Sequence, residues 1–379
     1  MFTYQIIITL ILLFLFAQVI INLRDYAPLL PGAPPRPEER LFVLIPARNE
    51  AENIAECLQG LLSQSWGQFT LLVLDDGSED GTDRIVAEIA GRDERVQLLR
   101  GREIEPGWAG KVWACRQLGE AALAEGADWL LFLDADTRAQ PELIGAALAY
   151  AQGAGAGMVS TFPYQVTETF GERVVLPMLH FLITTFLPVR LVWEMPLPQL
   201  VAACGQFELF SAGAYRMVGG HGSIPKSFHD GLQLARRVKE MKGTVRLCDG
   251  SKLISCRMYA GGRAVWNGFT RNAYEGLGGP IALIAMTLMQ TVLFLLPYLF
   301  LAAAVGQTVT LRHWPVWGWL CVGQVGLILL MRLLQARRFG HYDSLLLHPL
   351  SIIALVSIQW ASWWKTVRKS QIAWKGRTY

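Results

Sequence analysis

The sequence predicts an α/β protein built on a mostly parallel sheet and attached to a membrane by apolar helices. Between residues 41 and 133, short apolar strands alternate with segments of helical spacing. The strands ending near residues 45, 74 and 133 each run into polar or acidic residues, and long uncharged segments flank the region. Strand–helix alternation implies parallel pairing through crossovers, and such sheets bind ligands beyond the carboxyl ends of their strands.

Composition narrows the class. Of 379 residues, 52% are hydrophobic and only 17% charged, more apolar than an ordinary soluble domain. A net charge of +3 gives no nucleic-acid footprint. Basic residues gather beside apolar segments, at Arg332, Arg337 and Arg338 and from Lys365 to Arg377, as they do at a membrane face. The six cysteines form no C-x-x-C pair and no zinc-like spacing with histidine, and read as buried reduced thiols.

In chain order, residues 2–22 carry no formal charge and suit a spanning helix of about 20 residues. With neither a basic start nor a small-residue cleavage site, residues 1–23 read as a retained anchor rather than a signal peptide. The Pro-rich residues 24–40 read as a linker. Strands follow at 41–45, 69–74, 96–99 and 129–133, with helices over 51–64, 82–91 and 111–125 between them. Residues 203–220 read as a further strand and a Gly-rich turn. Residues 174–201 are apolar but broken by Pro177, Pro188, Pro196 and Pro198, which suits interfacial helices or a buried core helix. Segments 281–304, 315–331 and 345–364 are each long enough to span or nearly so. Three full spans there would put the basic tail (Lys365, Arg368, Lys369, Lys375, Arg377) opposite the loop holding Arg337 and Arg338, against the positive-inside rule. The last segment, ending in Trp360, Trp363 and Trp364, therefore reads as interfacial or re-entrant.

The chemistry centres on Leu130–Leu133, which runs into Asp134-Ala135-Asp136. On a strand, carboxylates at i and i+2 share one side of the pleat and can face one cation. A hard divalent ion held by one or two carboxylates and completed by substrate phosphates is the usual Mg²⁺ arrangement. Alone, the pair would as readily be a polar turn after a strand. No P-loop and no G-x-G-x-x-G follows the first strand.

Pro46-Ala47-Arg48-Asn49-Glu50, Asp75-Asp76-Gly77-Ser78-x-Asp80-Gly81-Thr82 and Asp134-Ala135-Asp136, in that order, resemble the family 2 glycosyltransferases of GT-A fold. Gly107-Trp108-Ala109-Gly110-Lys111-x-Trp113-Ala114 and Phe228-His229-Asp230-Gly231-Leu232-x-Leu234-Ala235 are similar to the membrane-bound carotenoid, hopanoid-associated and ceramide glycosyltransferase branch. The resemblance implies a catalytic domain over 41–275 followed by a membrane region over 281–379. It places Asp76 on the uracil of a UDP-sugar, with Pro46, Asn49 and Glu50 lining the same end, while Asp80 or Ser78 caps the next helix. Lys111, in a Gly-rich loop ahead of a helix, would hold the pyrophosphate, and Trp108 and Trp113 would lean on the donor or on the core. Asp134 and Asp136 would hold Mg²⁺ or Mn²⁺, with Asp136 the direct ligand.

By its position at a helix start Asp230 would read as a cap; in the resemblance it matches the family's general base. The family usually carries a Glu-Asp pair there, and His229 in place of the Glu leaves that residue's role open. Gly205 and Gln206 fall where the family faces acceptor and sugar. The Gln-x-x-Arg-Trp box of processive synthases is missing; Arg263, Trp266 and Arg271 stand in its place, and either arginine could hold the diphosphate or face lipid phosphates. Together these imply inverting, metal-dependent transfer of a single hexose, glucose first, from a UDP-sugar to a hydroxyl of a membrane lipid such as a hydroxylated carotenoid or other terpenoid. The setting implied is the cytoplasmic side of the cell (inner) membrane. Polyprenyl phosphate and sphingolipid or glycerolipid acceptors are alternatives, as is a non-catalytic scaffold of the same fold.

Overall fold

The computed structural model describes residues 1–32, 35, 36, 38–368, 373, 374, 377 and 378; Lys369 and Lys375 of the basic tail lie outside the described residues. The chain opens with α1 (Phe2–Asp25) and enters β1 (Leu41–Ala47), α2 (Ile54–Leu62), β2 (Phe69–Asp75), α3 (Thr82–Ala90), β3 (Val96–Arg100) and α4 (Gly110–Ala124). Then come β4 (Trp129–Leu133), β5 (Thr137–Ala139), α5 (Leu143–Gly153), β6 (Met158–Thr161) and β7 (Tyr164–Gln165). Short helices α6 (Phe170–Val175), α7 (Met178–Phe186) and α8 (Val189–Glu194) lead to β8 (Phe207–Ser211), α9 (Ala212–Met217), α10 (Asp230–Glu240), β9 (Val245–Cys248) and β10 (Ile254–Cys256). The helices α11 (Gly262–Leu277), α12 (Pro280–Phe294), α13 (Leu296–Leu311), α14 (Val316–Phe339) and α15 (His348–Val367) follow. Two compact units result: Met1–Asp25, Thr167–Val189 and Tyr259–Ser370 form one, Tyr26–Val166, Arg190–Met258 and Gln371–Tyr379 the other.

The second unit is an α/β layer structure. Its seven-stranded sheet has the order β3-β2-β1-β4-β8-β6-β9, parallel from β3 to β4 and antiparallel where β8 meets β4 and β6. Odd-numbered residues of β1, β2 and β4 pack on α2, α3 and α5. Even-numbered ones (Phe42, Leu44, Leu72, Leu130, Phe132) pack on α4 and α10. Burial on both faces explains why these strands read as unbroken apolar runs. All six cysteines of the chain are buried and free.

One expectation is corrected. Asp134-Ala135-Asp136 does not continue β4 but turns out of it, because the Asp134 carbonyl accepts the Thr137 N–H (3.2 Å) and hydroxyl (2.8 Å). The chain then enters β5, which belongs to a separate three-stranded sheet, β5-β10-β7. The two carboxylates are set by a turn, not by the pleat.

The first unit is helical. Phe2–Asp25, Pro280–Leu311 and Val316–Phe339 are long and apolar enough to cross a membrane. Within the second of these the helix breaks at Leu295, between α12 and α13, because Pro297 in the first turn of α13 has no N–H to continue the ladder. The 20-residue α15 is not among the three. Buried polar side chains join the helices, as expected where apolar contact alone does not select partners. Gln324 of α14 donates to Gln5 Oε1 and Thr9 Oγ1 of α1, each at 3.0 Å. Asn22 of α1 donates to the carbonyls of Thr184 and Leu187 (2.8 and 2.7 Å) and accepts the Val189 N–H. The segment expected at 174–201 forms most of α6–α8, with Met178, His180 and Phe181 of α7 buried.

Candidate active site

Strand register assembles the site. Ala47 pairs with Asp75, Leu44 with Phe132 and Leu133 with Phe207, so Pro46–Glu50, Asp75–Thr82, Asp134–Asp136 and Gly205–Gln206 meet along one sheet edge. The first two loops are stitched together. Asn49 adopts a left-handed backbone (φ 51°), tolerated by Asn; its N–H donates to Ser78 Oγ (3.0 Å) and its Oδ1 accepts the Glu79 N–H (2.9 Å). Arg48 donates to the Asp76 and Gly77 carbonyls. Asp80 accepts from the Ala51 and Thr82 N–H groups and the Thr82 hydroxyl, bracing the start of α3. Asp76 is buried at this edge.

At the centre lies Lys111, in the first turn of α4. Its ammonium is 2.8 Å from Asp134 Oδ1 and 3.1 Å from Asp230 Oδ2, and it donates to the Gly205 carbonyl at 3.0 Å. Asp230 starts α10, and its Oδ1 accepts the Gly231 N–H (3.0 Å). Burial opposes a charged lysine here, but the two carboxylates outweigh it and hold Lys111 protonated well above its usual range. Burial raises Asp134 above the ordinary carboxylate value despite Lys111. At Asp230 burial pulls the same way, yet Lys111 and then His221 win and leave it below that value.

Asp136 is pushed up to about 7 by burial, by Asp134 and by Glu50. Its Oδ1 is buried with no hydrogen-bond partner among the described residues. Among those residues no three His, Cys, Asp or Glu side chains form a metal-binding group. Two carboxylates, one with an orphaned oxygen, fit a divalent ion whose remaining ligands come from a diphosphate.

Other candidates take different places. Gln206 is buried; its amide accepts from Gln165 Nε2 (3.0 Å) and donates to Cys256 Sγ (2.8 Å), so it braces the β5-β10-β7 sheet beside the site. Trp113 is buried with its indole N–H on the Arg102 carbonyl (3.1 Å), while Trp108 packs on it with ring centres 5.0 Å apart, under the Arg116 guanidinium. The His229 N–H donates to Ser227 Oγ (3.0 Å) just ahead of Asp230. Arg263, Trp266 and Arg271 lie on α11, in the helical unit.

One carboxyl was absent from the sequence reading. Glu208, in β8, is 1% exposed, and neither oxygen has a hydrogen-bond partner among the described residues. Burial and then Asp230 push it well above the usual carboxylate range.

Comparison with known proteins gives this edge a context. Residues 42–214 match the profile of glycosyl transferase family 2. The chain is 27% identical over 355 residues to the 4,4'-diaponeurosporenoate glycosyltransferase of Staphylococcus aureus strain MRSA252, covering 89% of this chain and 88% of the relative. The protein of that name from strain USA300 is 26% identical over 349 residues, with the same coverage. A solved mannosyltransferase from Pyrobaculum calidifontis, in complex with GDP-Man and Mn²⁺, superposes with a TM-score of 0.52 at 15% identity, covering 96% of this chain and 99% of that one. At that identity the likeness speaks for the fold, which is GT-A-like. Strand ends, acidic turns and the match to glycosyl transferase family 2 fall on the same residues, and the chain is a glycosyltransferase.

Proposed function

We propose that the enzyme transfers one hexose, glucose first among donors, from a UDP-sugar to a hydroxyl of a membrane lipid of carotenoid or terpenoid type, inverting the anomeric carbon. The observation that carries this reading is the meeting of Asp134, Lys111 and Asp230 within 3.1 Å contacts at the carboxyl edge of the sheet. Asp76 accepts the uracil N3–H, with Pro46, Asn49 and Glu50 at the same end. A divalent ion, Mg²⁺ or Mn²⁺, held by Asp136 and Asp134 would supply Lewis-acid neutralisation of the diphosphate, and Lys111 adds a point charge there.

The acceptor oxygen bonds to the anomeric carbon from the face opposite the diphosphate. The carbon–oxygen bond to the diphosphate breaks, its electron pair leaving with UDP, while Asp230 takes the hydroxyl proton. A single displacement turns an α-linked donor into a β-linked product. Three apolar helices support a bilayer setting, and the basic end of α14 supports a cytoplasmic α/β unit.

The relative's name denotes a carboxylate, which supports a second acceptor class. A carboxyl-bearing polyene would arrive already deprotonated and need no base. Incubation of the protein with UDP-[¹⁴C]glucose, Mg²⁺ or Mn²⁺ and extracted lipids tests both. We expect a labelled, β-linked glycolipid and a loss of kcat by roughly 10²–10⁴-fold in Asp230→Asn. An α-linkage by NMR would refute inversion, and an unimpaired Asp230→Asn would replace the hydroxyl acceptor with the carboxylate one.

A further inference from the structure

We propose that Lys239 is a positioning residue for the acceptor: from the far end of α10 it fixes the strap formed by residues 195–203, whose apolar outer side meets the hydrocarbon chain of the lipid. This rests on the reading of a lipid acceptor with its reacting end at Asp230.

The strap is apolar on both sides. Residues 195–203 carry no charge and lead directly into Cys204 and Gly205. Val201 and Ala203 are buried in the same apolar cluster as Leu232, Leu234, Ala235 and Val238 of α10. Met195 and Leu197 stay open, 38% and 41% exposed. An exposed apolar run that ends at polar catalytic groups suits a ligand with one polar end and a long hydrocarbon body. The strap also follows α8, whose first residue, Val189, donates its N–H to Asn22 Oδ1 (3.0 Å) near the end of α1, a helix apolar enough to span. The six residues of α8 carry the chain only about 9 Å from that point.

Two anchors hold the strap along α10. At the Asp230 end the chain passes so close to the helix that a Cβ added to Gly231 would lie 2.9 Å from the Gly205 nitrogen and 3.2 Å from the Cys204 carbonyl carbon. The Gly205 carbonyl there accepts from Lys111. The other anchor is Lys239, about 14 Å farther along α10. It donates to the carbonyls of Val192 (2.5 Å) and Met195 (2.7 Å). Val192 lies in the last turn of α8, where carbonyls lack helical donors and carry the negative end of the helix dipole. Lys239 is 2% exposed. Burying an ammonium is costly where an apolar side chain would pack as well. What the lysine adds over packing is the placement of these two carbonyls, and with them the start of the strap.

Two variants of the full chain in nanodiscs separate this from a packing role, assayed with the donor and the extracted lipid that give labelled product above. Lys239→Met keeps the apolar stem without its donors, and Leu197→Glu puts a charge on the open side of the strap. Each should raise the KM for the lipid about tenfold or more and leave the KM for the sugar nucleotide within about twofold. Leu197→Glu should keep the wild-type thermal midpoint. A nitroxide on Leu197→Cys reads the strap without turnover, the native thiols being buried: its spectrum should be that of an ordered side chain with Lys239 present and of a mobile one in Lys239→Met. An unchanged lipid KM in either variant overturns the proposal, and so does an equal rise in both KM values or a nitroxide that Lys239→Met leaves ordered. A Lys239→Met chain that does not fold overturns it too, by making the lysine a structural residue. The two levels stay separable: a wild type that labels no lipid removes the lipid-acceptor reading itself, whereas labelling by a wild type and variants that behave alike removes only the role of Lys239 and its strap.

Discussion

At Gly205 the missing side chain leaves the room that Asp230 and Lys111 occupy. A Cβ there would collide with Asp230 Oδ1 and lie 3.2 Å from Lys111 Nζ, while the carbonyl of the same residue accepts from that lysine. Gly205→Ala should therefore lower kcat/KM by about tenfold or more, since small misplacements of catalytic groups are costly. Its thermal midpoint should change little, which differential scanning fluorimetry checks. The strand-end logic nominated Asp134 and Asp136 from sequence, and the family resemblance added Gly205, Lys111 and Asp230. Neither showed that one lysine is shared by two distant aspartates, because that pairing is made by tertiary packing. Asn49 and Gln206 were nominated for ligands, yet an Asn49 oxygen braces a loop and the Gln206 amide is used internally; the direction of an amide tip is not written in composition or spacing. Glu208 hid inside the run Phe207-Glu208-Leu209-Phe210, although its period-two relation to Phe210 placed it on the buried face.

Among the elements, the alternation of strand and helix was legible throughout the parallel half of the sheet because both faces are covered. The break at Leu295 was not read, although Pro297 announces it. Nor was the start of α6, where Thr169-Phe170-Gly171-Glu172 has the spacing of a capping box. The Glu172 carboxylate accepts the Thr169 hydroxyl (2.8 Å) and the N–H groups of Glu168, Thr169 and Gly261, so it also ties α6 to the start of α11. Burial works to raise its pKa, but these donors win and lower it from 4.5 to about 2. A lowered carboxyl stabilises the fold fully above its unfolded value and loses that contribution as the pH falls from about 4.5 through about 2. Thermal midpoints measured from pH 6 down to pH 3 should drop more steeply in the wild type than in Glu172→Gln, which should start lower. Parallel slopes would show that Glu172 carries no such linkage.

For the whole molecule, the apolar segments announced a membrane protein, but not how many of them cross. If Phe2–Asp25, Pro280–Leu311 and Val316–Phe339 are the crossings and the α/β unit faces the cytoplasm, the end of α14, with Arg337 and Arg338, returns to that side. Were α15 to lie along the surface, the chain's carboxyl end would stay there too, and the conflict with the positive-inside rule would disappear. A fluorescent protein fused after Tyr379 should mature inside the cell, and an alkaline phosphatase fused there should remain inactive. The reverse pair of results would make α15 a fourth crossing.

The burial of every native thiol has a practical corollary for such mapping. Cys57, Cys115, Cys204, Cys248 and Cys256 lie in the α/β unit and Cys321 in α14, all shielded and unpaired, so a membrane-impermeant maleimide should find almost nothing to alkylate in intact cells. One engineered cysteine, for instance at Leu346, which is 77% exposed between α14 and α15, would then report its own compartment against a silent background, with no need to strip the protein of its natural sulfhydryls first.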